Sequence, residues 1–252
     1  MKQSILILSL LINTFIGLGQ VPKSIVKKFQ TVLEFIKENN ATELSKFVEY
    51  PIIREYPIPT IRNKSEFISY YPNLFDKEFI DKLKKFSEKS IFSKNESYGL
   101  VGENFSGEIW INKNGYITTI NYSSPQEKNL KSELIKKEKA TIHPSIRQWN
   151  ENVLIAKSDK LLIRIDQTDK GLRYSSWSKG HQMSEAPDLI LLNGTEENQG
   201  AMGGRTWIFK NKEWEYVIED AENCGDPEEC GLIFSLFFNS ALKQSTRLWS
   251  IY

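Results

Sequence analysis

The sequence predicts an α+β first half followed by an all-β second half closed as a small antiparallel barrel. Three observations predict it. Apolar residues recur at helical spacing before residue 90. The stretch Gly171–Asp220 alternates short aromatic and β-branched runs with Gly, Asn and Asp clusters, as consecutive antiparallel strands do. Seven or eight such runs follow residue 150 within about 110 residues, a density that suits a small barrel or sandwich.

The 252 residues suit one large domain or two ordinary ones, and 40% hydrophobic with 26% charged residues is ordinary for a folded chain. With 33 basic and 32 acidic residues the formal charge is +1, which gives no electrostatic footprint for nucleic acid. Residues 1–19 read as a secretory signal peptide: Lys2, an apolar run Ile5–Ile16, then Gly17-Leu18-Gly19. The run falls short of the roughly 20 apolar residues a bilayer span needs. An uncleaved N-terminal anchor is the alternative. The expected location is periplasmic or extracellular, with no membrane span after signal removal.

Residues 20–123 form the expected first domain. Ile25, Phe29, Val32, Leu33 and Ile36 share one helix face after Pro22. Asn40 with Glu43, and Asn63 with Glu66, carry the capping spacing of two further helices, the second ending near Tyr71. Asp76 opens another, with Phe79, Ile80, Leu83 and Phe86 on one face. Between them, Glu49–Ile61 holds three prolines and reads as an extended edge segment. Gly107–Asn112 and Tyr116–Tyr122 flank Asn114-Gly115, a hairpin signal.

Residues 124–140 read as a helical connector, with Glu127 and Lys131 at favourable spacing. Residues 141–252 hold the expected barrel strands: Asn152–Lys157, Lys160–Ile165, Gly171–Ser178, Pro187–Leu192, Arg205–Lys210, Glu213–Glu219, Gly231–Phe238 and Arg247–Tyr252. Asn211-Lys212 is the expected two-residue turn. Asp166–Gly171 resembles the start of a calcium loop but lacks the distal Glu, so it reads as a hairpin turn.

Two stretches, YPIIREYPIPTIRNKSEFISYYPNLFDKEFI and GEIWINKNGYITTINY, resemble an NTF2-like α+β roll. IRIDQTDKGLRYSSWSKG and GRTWIFKNKEWEYVIE resemble a small lipocalin-like barrel. The pairing resembles a group of uncharacterised exported bacterial proteins. It implies a pocket in the mouth of the roll, with Arg54 and Glu55 beside it and Trp110 and Tyr122 as walls. Trp177 is a further candidate ligand contact, with a core position as the alternative reading. No His precedes His143, so no local His–Asp dyad exists in the first half.

Cys224 and Cys230 bracket CGDPEEC. In an exported chain this pair is expected as a disulfide; free thiols or a metal site are the alternatives. Asp226, Glu228 and Glu229 would then sit on a stapled acidic loop able to meet a basic protein partner. The functional expectation is an exported, non-catalytic binding protein for a small apolar ligand or a basic partner, without cofactor or metal. The alternatives are an inhibitor or immunity protein against a secreted toxin or cell-wall hydrolase, and an enzyme using the roll.

Overall fold

Pro22 caps helix α1 (Lys23–Lys37), and the five residues predicted to share a face are the five that α1 buries. This computed structural model describes residues 21–94, 96–100, 107–199, 203–221, 224 and 230–251. The proposed signal segment and Asp226, Glu228 and Glu229 therefore lie outside the described residues. The described chain forms two compact units. One comprises residues 21–53 with Thr60–Glu127; the other comprises Arg54–Pro59 with residues 128–251.

In the first unit, α2 (Ala41–Leu44) starts where the Asn40 side chain accepts from the Glu43 amide. Asn63 caps α3 (Lys64–Leu74) in the same way, and Asp76 caps α4 (Lys77–Leu83). Helix α3 runs three residues past the predicted end, through Pro72. The proline removes one helical hydrogen bond, but continuing the helix buries Tyr71, Leu74 and then Phe75. Four short strands, β1 (Ile91–Lys94), β2 (Ser97–Leu100), β3 (Ile109–Ile111) and β4 (Ile117–Ile120), form an antiparallel sheet in that order. Strands β1 and β2 carry no clear alternation in sequence. One core joins α1, α3 and α4 to the sheet through Phe29, Val32, Phe67, Phe79, Ile109 and Ile117. The proline-rich segment meets the sheet edge only at its start, where the Glu49 amide donates to the Ile117 carbonyl of β4, and then turns, closed by a bridge between Ile52 and Ile61.

Helix α5 (Pro125–Thr141) begins where Ser124 Oγ accepts from the Glu127 amide at 3.0 Å. The division between the units falls inside this helix, after Glu127. Glu127 is buried and accepts from Tyr70 Oη at 3.0 Å, while Lys131 bonds Glu55.

The second unit contains a closed eight-stranded antiparallel barrel. Its strands are β5 (Glu151–Lys157), β6 (Leu161–Thr168), β7 (Gly171–Ser178), β8 (Leu189–Asn198), β9 (Gly204–Asn211), β10 (Trp214–Ala221), β11 (Gly231–Phe238) and β12 (Ala241–Ser250). Each pairs with its sequence neighbour, and β12 closes on β5. Alternate side chains fill the lumen: Ile163, Ile165, Leu172, Tyr174, Trp207, Phe209 and Ile218 are all buried there. Packed side chains inside a barrel of this size are the ordinary outcome.

Several predicted details shift, among them β8 and β6, which run on to Asn198 and Thr168, past the expected ends at Leu192 and Ile165. The β9–β10 connection is Lys212-Glu213, because Asn211 pairs with Trp214 and Lys212 takes a positive φ. That moves every cross-strand partner by two, so Phe209 faces Tyr216 and Trp207 faces Ile218. An even shift leaves every side chain on its predicted face. Strand β12 starts at Ala241, well before the expected Arg247. Its first half, Ala241–Ser245, is exposed throughout, so no inward apolar residue marks it.

Gly194 shows how the lumen limits sequence. Strand β8 bulges beside it, at Asn193, where φ is positive. A Cβ on Gly194 would run into the Phe209 ring.

Candidate ligand-binding site

Strands β6 and β7 turn their second face away from the lumen, and this face is also covered. Ile142, Ile146, Trp149 and Trp177 form a separate small core over it, joined by Ile135 of α5. Alternation places Arg164, Asp166 and Arg173 on this face, where period two alone would put them in water. The cover instead leaves Arg164 and Asp166 with no exposed surface.

Burying these charges requires partners. Arg164 Nε donates to Asp166 Oδ1 and Oδ2 at 2.8 and 2.9 Å, and its Nη1 donates to Glu138. Arg173 Nη2 donates to Asp166 Oδ2 and to the Ile146 carbonyl, both at 2.7 Å. Its Nη1 donates to the Gln148 carbonyl at 3.0 Å. Arg173 thereby anchors the 144–149 turn to the barrel wall. Burial acts to lower the Arg164 pKa, but the charges and hydrogen bonds of Asp166 and Glu138 reverse this, and the net shift is upward. Tyr56, from the short segment of this unit, is raised first by burial and then by its hydrogen bond to Glu138. Lys139 and Arg164 lie over the Trp149 ring, 4.3 and 5.1 Å from its centre.

Beside this network lies a cavity of about 330 Å³, lined among others by Trp149, Lys170, Arg173, Ile190 and Leu192. Its wall is unusual in two respects. Ile190 and Leu192 stand 37% and 47% exposed on the outer face of β8. Two N–H donors on its lining side chains, Arg173 Nε and Trp149 Nε1, are buried and have no hydrogen-bond partner among the described residues. Asn150 and Asp169, also in the wall, bond each other at 2.8 Å. A donor left unmatched in the folded state costs about 1–3 kcal/mol, so an acceptor that reached these enclosed atoms on a small shift of the wall would have something to gain.

A second, roomier cavity of about 540 Å³ belongs to the first unit, between α1 and the β1–β2 edge. Two polar groups in its wall, Gln30 and Glu88, bond each other at 3.2 Å.

Of the residues named from sequence, Arg54 and Glu55 lie in the short segment of the second unit, and Glu55 bonds Lys131. Trp110 is in β3 of the first unit, edge-on to Phe92 with ring centres 5.0 Å apart. Tyr122 of that unit donates to the Asp76 carboxylate. Trp177 has no exposed surface and donates from Nε1 to the Glu185 carbonyl at 3.0 Å. Trp110 and Trp177 thus belong to different units. Cys224 and Cys230 are joined in a disulfide. The supposed turn beginning at Asp166 is narrower than expected: Thr168 pairs with Gly171, and Asp166 lies inside β6.

Trp149, Arg164, Arg173 and Glu138 went unnoticed in the sequence. The one available signal was charge on both neighbouring strands, Arg164 and Asp166 in LLIRIDQT and Arg173 in GLRYSSWS. Among the described residues no group of three or more His, Cys, Asp or Glu is placed to hold a metal ion, and no helix is long and apolar enough to cross a membrane. No family model matches the chain, nor does any curated protein or solved structure.

Proposed function

We propose that this is an exported, non-catalytic binding protein whose ligand seats against the outer wall of the barrel, at Trp149, Arg173, Ile190 and Leu192. The single observation that carries this reading is the pair of buried, unmatched N–H donors on a cavity bordered by exposed apolar side chains. Export is supported by the Cys224–Cys230 disulfide, a bond that persists in oxidising compartments, and by the leader-like residues 1–19. A lipocalin-like reading of the barrel is supported by eight antiparallel strands paired in sequence order. Because side chains fill the lumen, the reading places the ligand outside it. An NTF2-like reading of the first unit is supported by four helices preceding a four-stranded antiparallel sheet.

A thermal-shift screen of small molecules, run in parallel on the wild type and Leu192→Asp, tests the site. The expected result is a set of compounds that raise the wild-type melting temperature and lose that effect in the variant. Compounds that stabilise both proteins equally would place the ligand elsewhere, and measurable turnover of a bound compound would end the non-catalytic reading.

A second reading, an inhibitor or immunity protein, is favoured by one observation: the disulfide closes the sequence segment that carries Asp226, Glu228 and Glu229. A closed loop loses less entropy on binding, and its acids would speed encounter with a basic partner.

A further inference from the structure

We infer that the ligand of this groove is a small organic anion: a carboxylate attached to an apolar body. The inference rests on the binding reading above and adds the chemical class. Three features point to it. First, the two unmatched atoms on side chains that line the cavity are both donors; Glu138 Oε2, Arg164 Nη2 and Ser175 Oγ, also unmatched, belong to residues outside its lining. Arg173 Nε and the indole Nε1 of Trp149 each need an acceptor, and neither residue is more than 5% exposed. A carboxylate has two acceptor oxygens and about four lone-pair sites, enough for two donors at once. Hydrogen bonds with one charged partner are shorter and stronger than neutral ones.

Second, the charge count favours an anion. The buried network and the cavity wall together hold Lys139, Arg164, Lys170 and Arg173 against Glu138, Asp166 and Asp169, four cations to three anions. One carboxylate closes the balance. Arg173 is also fixed before any ligand arrives, because Asp166 and the Ile146 and Gln148 carbonyls already hold its other two nitrogens. Little side-chain freedom is lost when Nε donates to a ligand oxygen.

Third, the apolar side of the wall sits next to these donors. Ile190 and Leu192 project from alternate positions of β8, and Leu192 is the register partner of Arg173 on β7. A molecule whose carboxylate meets Arg173 and Trp149 would therefore lay its hydrocarbon part over Leu192 and Ile190. The cavity, at about 330 Å³, lies near the lower end of the range for small-molecule sites.

Isothermal titration of the full chain with phenylacetate, cinnamate and hexanoate, each beside its neutral amide, tests the class. The expected result is saturable binding of at least one carboxylate, about tenfold or more tighter than its amide. Trp149→Phe keeps an aromatic ring under Lys139 and Arg164 but removes the N–H, and should weaken the carboxylate about tenfold. Arg173 is too deeply embedded in the fold to serve as a clean test. Leu192→Asp, on the exposed strand face, takes that role: it should abolish binding, while Leu192→Asn should lose less. Thermal melts of each variant show whether it is folded. If amide and carboxylate bind alike and both respond to Leu192, the groove stands and the anion class falls. If no carboxylate binds, the class falls again, with the groove judged by the thermal-shift screen. If carboxylates bind but neither Trp149→Phe nor Leu192→Asp changes the affinity, the class and the site both fail.

Discussion

Asp166→Ala should be among the most damaging single changes in the second unit. The Asp166 side chain has no exposed surface and accepts from Arg164, Arg173 and, at 3.0 Å, Asn152. Truncation leaves two buried guanidinium groups facing each other, with Glu138 as the remaining carboxylate of the network among the described residues. Removing one partner from a buried ion network costs about 3–5 kcal/mol. For a unit of this size, each kcal/mol moves the melting temperature by roughly 2–4 °C, so a fall of about 6–20 °C is expected. Urea unfolding followed by tryptophan fluorescence reads the same loss, since Trp149 lies against Arg164. The decisive comparison is the quadruple replacement Glu138→Leu, Arg164→Met, Asp166→Leu, Arg173→Leu, which leaves none of these four charges unpaired. Removing all four charges together should recover most of the loss, because burying ions is itself costly. A loss below about 1 kcal/mol for Asp166→Ala would refute the reasoning, since that is the value of a water-screened surface pair.

Two further outcomes follow from burial. Gly194→Ala drives a Cβ into the Phe209 ring, and should destabilise the barrel by about 1–3 kcal/mol in a urea titration; a paired Phe209→Leu change should relieve part of it. At high pH the tyrosines govern stability. Burial pushes the Tyr50 and Tyr71 hydroxyls up to about 12. The folded chain therefore keeps phenolic protons that the unfolded chain has released, and the tyrosine contribution, intact below about pH 10, should drain away as pH rises towards about 12. Tyrosinate absorbance should appear in step with unfolding, and early titration of these hydroxyls in the folded chain would contradict the shift.

Local patterns were well expressed in this sequence. The capping pairs Asn40 with Glu43 and Asn63 with Glu66 needed only a side-chain oxygen three residues from an amide. The five-residue stripe of α1 needed only helical period, and β7 and β11 coincide with their predicted spans because apolar residues stand near both ends of each. Strand β12 was half hidden for the opposite reason: its exposed first half buries nothing. The β9–β10 turn was misplaced by one residue because several turns of equal length preserve the same inward pattern, and pairing chose among them.

What the chain determined by itself was therefore each element whose physics is local, and the antiparallel, strand-built character of its second half. What the tertiary structure alone decided was the site. LLIRIDQT and GLRYSSWS alternate like strands with one wet face, and nothing near them in sequence says otherwise. Only when α5 and the 142–149 turn close over that face do Arg164 and Asp166 lose water, Arg173 gain its anchors, and Trp149 meet the cavity beside Leu192. Burial is a property of what covers a residue, and here the cover comes from more than twenty residues away along the chain for Arg164 and Arg173.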